Sequence, residues 1–330
     1  MTVVRSVSRT VLLALACLTF GWTTLAQEVS PTPKPAGPKV ELSLIVTDKS
    51  NKSVSTITKD EVRVIEEKIE QVVESVEPDN RPTDYGLLID ASGSARSMLR
   101  EIVESAGRIV HNRRASDQIF IERFVSSDKI TILQDFTQDN NALLQSLTKL
   151  FVEGGHTAVI DALYVAAERV VVHHKNTPGR RKALVIITDG EDRKSSHTLS
   201  ALIELLRRHD IQVFVLGLVY ELDETARAGF INPNAREKAE KLLNRIAGES
   251  GGRVFYPKKG TVFEEAIAQI SHDLRSQFRI TYQSQDSTKT GFRKVEVKLT
   301  SPVGRTAIAP GGYYPGSTAI TPKASEPQSP

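Results

Sequence analysis

The chain has 330 residues, a single cysteine and a formal net charge of +3. One cysteine excludes an intramolecular disulfide, so the fold must be stabilised by burial of apolar side chains. The small net charge gives no general attraction to nucleic acid, and we expect no nucleic-acid partner.

Residues 1–26 have the pattern of a cleavable secretory signal peptide, with basic residues before an apolar run from Val11 to Phe20 and small residues leading to Ala26. Cleavage after Ala26 would remove Cys17 and two arginines, so the net charge of +3 would fall to +1. Acylation of Cys17 in a lipoprotein is the alternative. We expect a secreted or periplasmic protein whose mature chain has no transmembrane segment.

The remaining sequence changes its pattern several times. We predict a Pro-rich linker at 27–39, an N-terminal β segment at 40–80, an α/β domain at 84–278, a C-terminal β segment at 279–315 and a disordered tail at 316–330. The N-terminal segment has two or three strand-like runs, too few to fold alone. We therefore expect the two β segments to pack with each other into a small β unit.

Within the α/β domain, short apolar runs alternate with stretches of helical periodicity. The runs begin at Gly86, Gln118, Ala183 and Ile211, and each is nearly continuous, as in strands buried on both faces of a parallel sheet. This alternation predicts a doubly wound, mostly parallel sheet. The run Ile130–Leu133 follows its predecessor after a short polar turn, so we expect it to be an antiparallel edge strand.

Polar residues gather where the predicted strands end. Asp90, Ser92 and Ser94 follow the first buried strand, Thr157 ends a loop before a helix, and Asp189 follows the strand that begins at Ala183. Aspartate and serine also occur in such turns simply as helix caps. However, the carboxyl ends of strands meet where strand order reverses, so the three segments are expected to converge there.

These five side chains offer only hard oxygen donors, namely two carboxylates and three hydroxyls. Such donors suit Mg²⁺, or Mn²⁺ or Ca²⁺ in its place, better than Zn²⁺, which prefers nitrogen and sulfur. An incomplete shell of oxygens would leave one position open for the carboxylate of a ligand.

The combination of Asp-x-Ser-x-Ser, a loop threonine and Thr-Asp-Gly resembles the metal-ion-dependent adhesion site of von Willebrand factor A and integrin inserted domains. The resemblance implies a Rossmann-like fold in which Ser92, Ser94 and Thr157 hold the metal through their hydroxyls. Asp90 and Asp189 would act directly or through water.

The flanking segments are similar to an exported subgroup of such domains, often described from acidobacteria. The similarity covers 46–48, 58–64 and 312–315. Two departures stand out, since 66–68 reads Glu-Glu-Lys in place of a second acidic turn and His156 stands where the family more often has glycine.

The resemblance implies a binding protein and not an enzyme, with a protein partner that presents an Asp or Glu carboxylate to the metal. The alternatives are a metal-dependent hydrolase and a structural scaffold with a non-functional metal site. No Gly-x-Ser-x-Gly elbow, phosphate loop or His-Glu-x-x-His motif supports the hydrolase. The sequence patterns do not indicate an oligomeric state.

Four further features of the sequence have a predicted role. The polar stretch Tyr220–Asn234 is predicted to be a contact surface beside the metal. Asp161 is expected to brace the loop that carries Thr157, and His156 to be a surface histidine that flanks the site. The pair His173 and His174 is expected to form a solvated helix end.

Overall fold

A computed structural model describes residues 37–220, 222, 234–257, 263–286, 288–301 and 304–316. The strands are β1 Lys39–Asp48, β2 Val62–Glu66, β3 Ile69–Gln71, β4 Val73–Asp79, β5 Thr83–Asp90, β6 Gln118–Phe124, β7 Ile130–Thr137, β8 Arg181–Thr188, β9 Ile211–Gly217, β10 Val254–Phe255, β11 Gln277–Gln283, β12 Arg293–Leu299, β13 Arg305–Ile308 and β14 Gly312–Tyr313. The α-helices are α1 Leu99–His111, α2 Asn140–Leu147, α3 Val159–His174, α4 Leu199–His209, α5 Ala235–Ser250 and α6 Glu264–Arg275.

A central sheet of six strands carries the α/β domain, in the order β10-β9-β8-β5-β6-β7. The strands pair in parallel except β7, which runs antiparallel to β6 at the edge. This confirms the predicted edge strand. The chain extends the sheet from β5 first through β6 and then, after α3, through β8 on the other side. Strand order therefore reverses at β5.

Helices cover both faces of this sheet, which explains why β5 and β9 are buried along their whole length. One face packs against α1, α2 and α6, and the other against α3, α4 and α5. Side chains alternate between the faces, so Leu87 and Ile89 contact the first layer and Leu88 contacts the second. The predicted doubly wound fold is confirmed.

The flanking segments form two four-stranded sheets with a common apolar core, called here the β sandwich. Their orders are β13-β1-β11-β4 and β14-β12-β2-β3. Strands from before and after the α/β domain pair directly, as in β1 with β11 and β2 with β12. The two β segments therefore pack together as expected, but the N-terminal one supplies four strands where two or three were predicted. The core side chains are Val40, Leu42, Leu44, Val46, Val62, Val64, Phe278, Ile280, Tyr282, Val295 and Tyr313.

A buried ion pair of the α/β domain holds the segment between β1 and β2 of the β sandwich. Arg253 Nη1 lies 2.6 Å from Asp273 Oδ2 on α6, and both side chains are almost fully buried. The Ser53 hydroxyl donates to Asp273, and Arg253 donates to the Asn51 carbonyl oxygen (2.7 Å). Both contacts come from the segment between β1 and β2, so this segment is fixed onto the α/β domain.

Some predicted segments lie outside the described residues. These are the signal peptide 1–26, most of the linker 27–39, nearly all of the tail 316–330 and most of the stretch Tyr220–Asn234. Among the residues that are described, no helix combines the length and apolar character needed to cross a bilayer.

Candidate metal centre

The turn after β5 places the first three predicted residues. Asp90 ends the strand, and its Oδ1 accepts a hydrogen bond from the Ser92 N–H (2.9 Å), which closes a tight turn. A short 3-10 helix, Gly93–Met98, then leads into α1. The hydroxyls of Ser92 and Ser94 lie 3.0 Å apart at the start of this helix. Asp90 and Ser92 are buried, whereas Ser94 is partly exposed.

The end of β8 brings the second carboxylate to the same edge. Ile89 is paired with Ile187 in the sheet, so Asp90 and Thr188 are the next residues of adjacent strands and share a face. The Thr188 hydroxyl donates to Asp90 Oδ2 (2.6 Å) and accepts from the Gly190 N–H (3.0 Å). Asp189 is buried, and its Oδ1 accepts from the Glu191 N–H (2.9 Å).

Main-chain contacts bring the loop that carries Thr157 to these two turns. The Glu153 N–H donates to the Ala91 carbonyl oxygen (3.2 Å), and the Thr157 carbonyl oxygen accepts from the Arg193 N–H (2.9 Å). Thr157 is buried at 3% exposure. The structure thus brings the three predicted segments together at one edge of the sheet.

Burial makes this edge electrostatically costly. It raises the pKa of Asp90, although hydrogen bonds from Thr188 and Ser92 oppose the rise. Burial also raises the pKa of Asp189, the nearby Asp90 charge adds to the effect, and hydrogen bonds from the Ser94 hydroxyl and the Glu191 N–H oppose it. Asp189 Oδ2 is buried and has no hydrogen-bond partner among the described residues. Two buried carboxyl groups therefore share an edge where no described basic side chain balances their charge.

The donor set fits a small divalent cation. A cation would supply the missing positive charge and would give Asp189 Oδ2 the partner that it lacks. Within the described part of the chain, no three His, Cys, Asp or Glu side chains cluster as a metal site. Any cation here would therefore depend on hydroxyl oxygens, which favours Mg²⁺ over Zn²⁺. The residues that would hold it are Asp90, Ser92, Ser94, Thr157 and Asp189.

Thr188 is a residue of this edge to which the sequence patterns gave no role. Its hydroxyl links Asp90 to the turn that follows β8, so it orients one carboxylate and shapes the backbone beside the other. The alternation of side chains along the strands could have indicated this role for Thr188, because residues 90 and 188 fall on the same face once β5 and β8 are aligned.

Asp161 has a structural role, but it braces the loop before α4 and not the predicted loop that carries Thr157. Its carboxylate accepts from the N–H groups of Ser196 (2.7 Å) and His197 (2.8 Å). Burial alone would raise the pKa of Asp161, but hydrogen bonds from Ser127 and from these groups lower it to about 2. His156 is exposed beside Thr157.

The interpretation of the two histidines at the end of α3 was wrong. His173 stacks on Phe136 with ring centroids 3.7 Å apart, and its Nε2 lies 3.7 Å from Asp84 Oδ2. Burial lowers the pKa of His174 to about 4. Both side chains are partly buried, and His173 packs on β7 because this strand extends past the predicted run to Phe136.

Comparison with known proteins identifies the α/β domain. The sequence profile of the von Willebrand factor type A domain matches residues 84–271, which is more than half of the chain. The chain belongs to the von Willebrand factor type A (VWA) family. The matched part of the VWA domain contains all but the first residue of β5, the strands β6 to β10, α1 to α5 and most of α6, including the whole candidate metal centre.

Several solved structures are similar to this VWA protein. The conserved hypothetical protein BatB from Bacteroides thetaiotaomicron shares 17% identity over 58% of this chain and 97% of that chain, with a TM-score of 0.44. A von Willebrand factor type A protein from Catenulispora acidiphila shares 12% identity over 83% of this chain and 74% of that chain, with a TM-score of 0.46. Proximal thread matrix protein 1 from the mussel byssus shares 16% identity over 64% of this chain and 50% of that chain, with a TM-score of 0.48. No curated protein shows a significant match.

Proposed function

We propose that this VWA protein binds a protein partner through a divalent cation, Mg²⁺ in the first place, held by Asp90, Ser92, Ser94, Thr157 and Asp189. The observation that carries the proposal is Asp189 Oδ2, a buried carboxylate oxygen without a hydrogen-bond partner among the described residues. Leaving such an atom unpartnered is costly unless a ligand completes the site.

The chain's own groups prepare this edge for a cation. Thr188 and the Ser92 N–H hold the Asp90 carboxylate, and the Glu191 N–H holds one oxygen of Asp189. Three of the five proposed donors are uncharged hydroxyls, so these side chains would fill only part of the coordination shell and leave a position that an Asp or Glu carboxylate of the partner can occupy.

The proposed activity is binding without turnover. The groups that surround the two carboxylates are hydroxyls and main-chain amides, and the proposal gives none of them a role as nucleophile, acid or base. We further propose that the protein acts outside the cytoplasm, in line with the signal-like pattern of 1–26 and with the similarity of the flanks to the exported subgroup.

Calorimetric titration of the protein with Mg²⁺ and Mn²⁺ tests the proposal. We expect saturable binding that Asp189→Asn and Thr157→Ala weaken at least about tenfold, since each removes an oxygen donor or a charge. His156→Ala is the matched control, because this exposed side chain flanks Thr157 and is given no metal contact. Absence of binding by folded wild-type protein would reject the proposal.

A further inference from the structure

Helix α3, which follows the loop that carries Thr157, has no N-cap side chain of its own. The helix begins at Val159, and Ala158 at the N-cap position makes no capping hydrogen bond. The N–H groups of the first turn, which a serine or aspartate cap would normally satisfy, therefore take their partners from another part of the chain. Because α3 begins so soon after Thr157, whatever holds its first turn also holds this threonine.

The partners come from the loop between β8 and α4, which also carries Asp189. Asp192 Oδ1 accepts from the Ile160 N–H (3.2 Å), and the Ser195 hydroxyl oxygen accepts from the Asp161 N–H (3.2 Å). The Ser195 hydroxyl in turn donates to Asp192 Oδ1 (2.6 Å). A carboxylate at this end of a helix also interacts favourably with the helix dipole. One loop thus caps the helix that follows the other.

The first turn of α3 returns these hydrogen bonds to the same loop. Asp161 Oδ2 accepts from the Ser196 N–H (2.7 Å), and Asp161 Oδ1 accepts from the His197 N–H (2.8 Å). Asp161 is only 2% exposed, so water does not compete for its carboxylate. The three side chains of this reciprocal arrangement, Asp161, Asp192 and Ser195, are called here the loop clamp.

The loop clamp lies close to two proposed metal ligands in both loops. Ile160 is three residues after Thr157, and Asp192 is three residues after Asp189. Between them, the Thr157 carbonyl oxygen accepts from the Arg193 N–H (2.9 Å). The clamp therefore limits how far the Thr157 hydroxyl and the Asp189 carboxylate can move relative to each other.

The backbone before Thr157 is costly to hold in one conformation. Gly154 and Gly155 have φ of +83° and +133°, and glycine loses more conformational freedom on ordering than any other residue. Contacts elsewhere must offset this cost if the loop is to be ordered before a ligand arrives. The loop clamp provides such contacts on the other side of Thr157.

We propose that the loop clamp is a positioning unit of the metal centre, which holds Thr157 and Asp189 in place before the cation binds. The inference rests on the proposed metal-dependent function and goes beyond it, since it gives side chains that are not proposed ligands a role in metal affinity. Without the clamp, the cation would have to bring the two loops together itself, and the free energy used for this would be lost from binding.

Calorimetric titration of the full chain with Mg²⁺ tests the inference. Asp192→Ala removes the acceptor of two hydrogen bonds and should weaken Mg²⁺ binding about tenfold or more. Ser195→Ala, which keeps the bond between Ile160 and Asp192, is a milder second variant and should weaken it less. Asp192→Asn keeps the accepting oxygen and removes only the charge, so its affinity should stay within about threefold of wild type. An Asn variant as weak as the Ala variant would overturn the inference, because the charge and not the hydrogen bonds would then matter.

Asp139→Ala is the matched control for loss of a cap. Asp139 caps α2 by accepting from the N–H groups of Asn141 (2.8 Å) and Ala142 (3.3 Å), so this variant also removes an aspartate cap, but within a single helix. Urea unfolding should show a similar loss of stability for Asp139→Ala and Asp192→Ala, whereas the Mg²⁺ affinity of Asp139→Ala should stay within about twofold of wild type. Equal losses of affinity would overturn the inference, since they would follow from stability alone.

Hydrogen exchange gives a readout that a purely structural role would not change. In Asp192→Ala without metal, the N–H groups of Asp161, Ser196 and His197, whose own acceptors remain, should exchange about tenfold or more faster than in wild type. Mg²⁺ at a concentration that saturates the variant should restore most of their protection, because the cation would then hold the two loops together. Exchange that Mg²⁺ leaves unchanged would show that clamp and cation are not coupled, and would overturn the inference.

The outcomes separate this inference from the proposed function. If wild type and Asp192→Ala bind Mg²⁺ equally well, the loop clamp has no positioning role and the proposed function stands. If folded wild-type protein binds no Mg²⁺, both proposals are overturned.

Discussion

Thr188 connects the two carboxylates of the candidate metal centre without being one of the proposed ligands. Its hydroxyl donates to Asp90 Oδ2 and accepts from the Gly190 N–H, so a single oxygen fixes a side chain of one strand and the turn after another. Groups that orient metal ligands commonly affect metal affinity by one to two orders of magnitude.

We therefore expect Thr188→Val, which keeps the side-chain shape, to weaken Mg²⁺ binding about 10-fold to 100-fold. It should also lower the free energy of unfolding by about 1–3 kcal/mol, since two buried polar groups lose their partner. Calorimetry and urea unfolding measure the two effects. Thr198→Val is the control, because it removes the N-cap of α4, at about 1 kcal/mol, and should leave Mg²⁺ affinity unchanged.

Glu122 on β6 is a buried acid away from the proposed ligands. It is fully buried, and neither of its carboxylate oxygens has a hydrogen-bond partner in the described part of the chain. Burial raises the pKa of Glu122 from 4.5 to about 8, against the opposing charge of Arg169. The folded protein therefore keeps this carboxyl protonated near neutral pH.

The sign of the resulting pH dependence follows from linkage. Between pH 4.5 and about 8 the folded state binds a proton at Glu122 that the unfolded state has lost, so this contribution to stability is present at low pH and disappears as pH rises to about 8. We expect Glu122→Gln to gain stability relative to wild type as pH rises, by up to about 1.4 kcal/mol per pH unit. Urea unfolding across this interval measures the gain, with the exposed Glu168→Gln on α3 as control. If the free energies of unfolding of wild type and Glu122→Gln change in parallel with pH, the raised pKa of Glu122 would be contradicted.

At the scale of elements, the packing of β5 against β6 depends on one glycine. A Cβ at Gly86 would lie 2.4 Å from the Phe120 ring on β6 and 3.0 Å from Leu184 on β8. Such distances cannot be kept without moving side chains in a close-packed interior. The ring of Phe120 therefore occupies the space that any larger residue at 86 would need.

Gly86→Ala should lower the free energy of unfolding by about 1–3 kcal/mol through overpacking, and Phe120→Leu should relieve part of this loss in the double variant. Gly107→Ala on α1 is the matched control. A Cβ there meets only Leu144, at 3.7 Å, so the better helix propensity of alanine should raise stability by up to about 1 kcal/mol. Equal losses from both substitutions in urea unfolding would refute the packing argument.

The elements of the VWA domain were predictable because strands buried on both faces have an unusually continuous apolar pattern. The antiparallel β7 was predictable from the short turn before it, but its extension to Thr137 was not, because half-buried residues alternate weakly there. The number of strands in the β sandwich was underestimated, since β3 and β4 are separated by a single residue and expose much of their surface.

At the candidate metal centre, the ends of β5 and β8 were predictable because chemistry and chain position agreed. Thr188 was not singled out, as its role depends on the register of two strands that are distant in sequence. The packing of His173 likewise depends on Phe136 and Asp84, which no local pattern relates to α3.

At the scale of the molecule, the buried ion pair of Arg253 with Asp273 lies within the VWA domain and binds Ser53 and Asn51 of the segment between β1 and β2. We expect Asp273→Asn to lower the free energy of unfolding by about 3–5 kcal/mol, because it leaves a buried guanidinium without its counter-charge. The double variant Arg253→Met with Asp273→Leu should recover most of the loss. Circular dichroism during urea unfolding measures both.

An exposed pair provides the control for this prediction. Lys52 and Glu265 lie 3.7 Å apart and connect the same segment and the same helix, but both side chains are more than half exposed. Glu265→Gln should change stability by less than about 1 kcal/mol. A loss as large as that of Asp273→Asn would show that burial is not what makes the inner pair important.

The pairing of β1 with β11 and β13 determines how the molecule would carry mechanical load. The strands before the VWA domain are hydrogen-bonded to the strands after it, so tension applied at residues 37 and 316 meets the β sandwich first. The backbone of residues 84–275 lies within the loop that these pairings close. A partner held at the candidate metal centre would therefore remain on an unstrained fold until the sandwich strands separate.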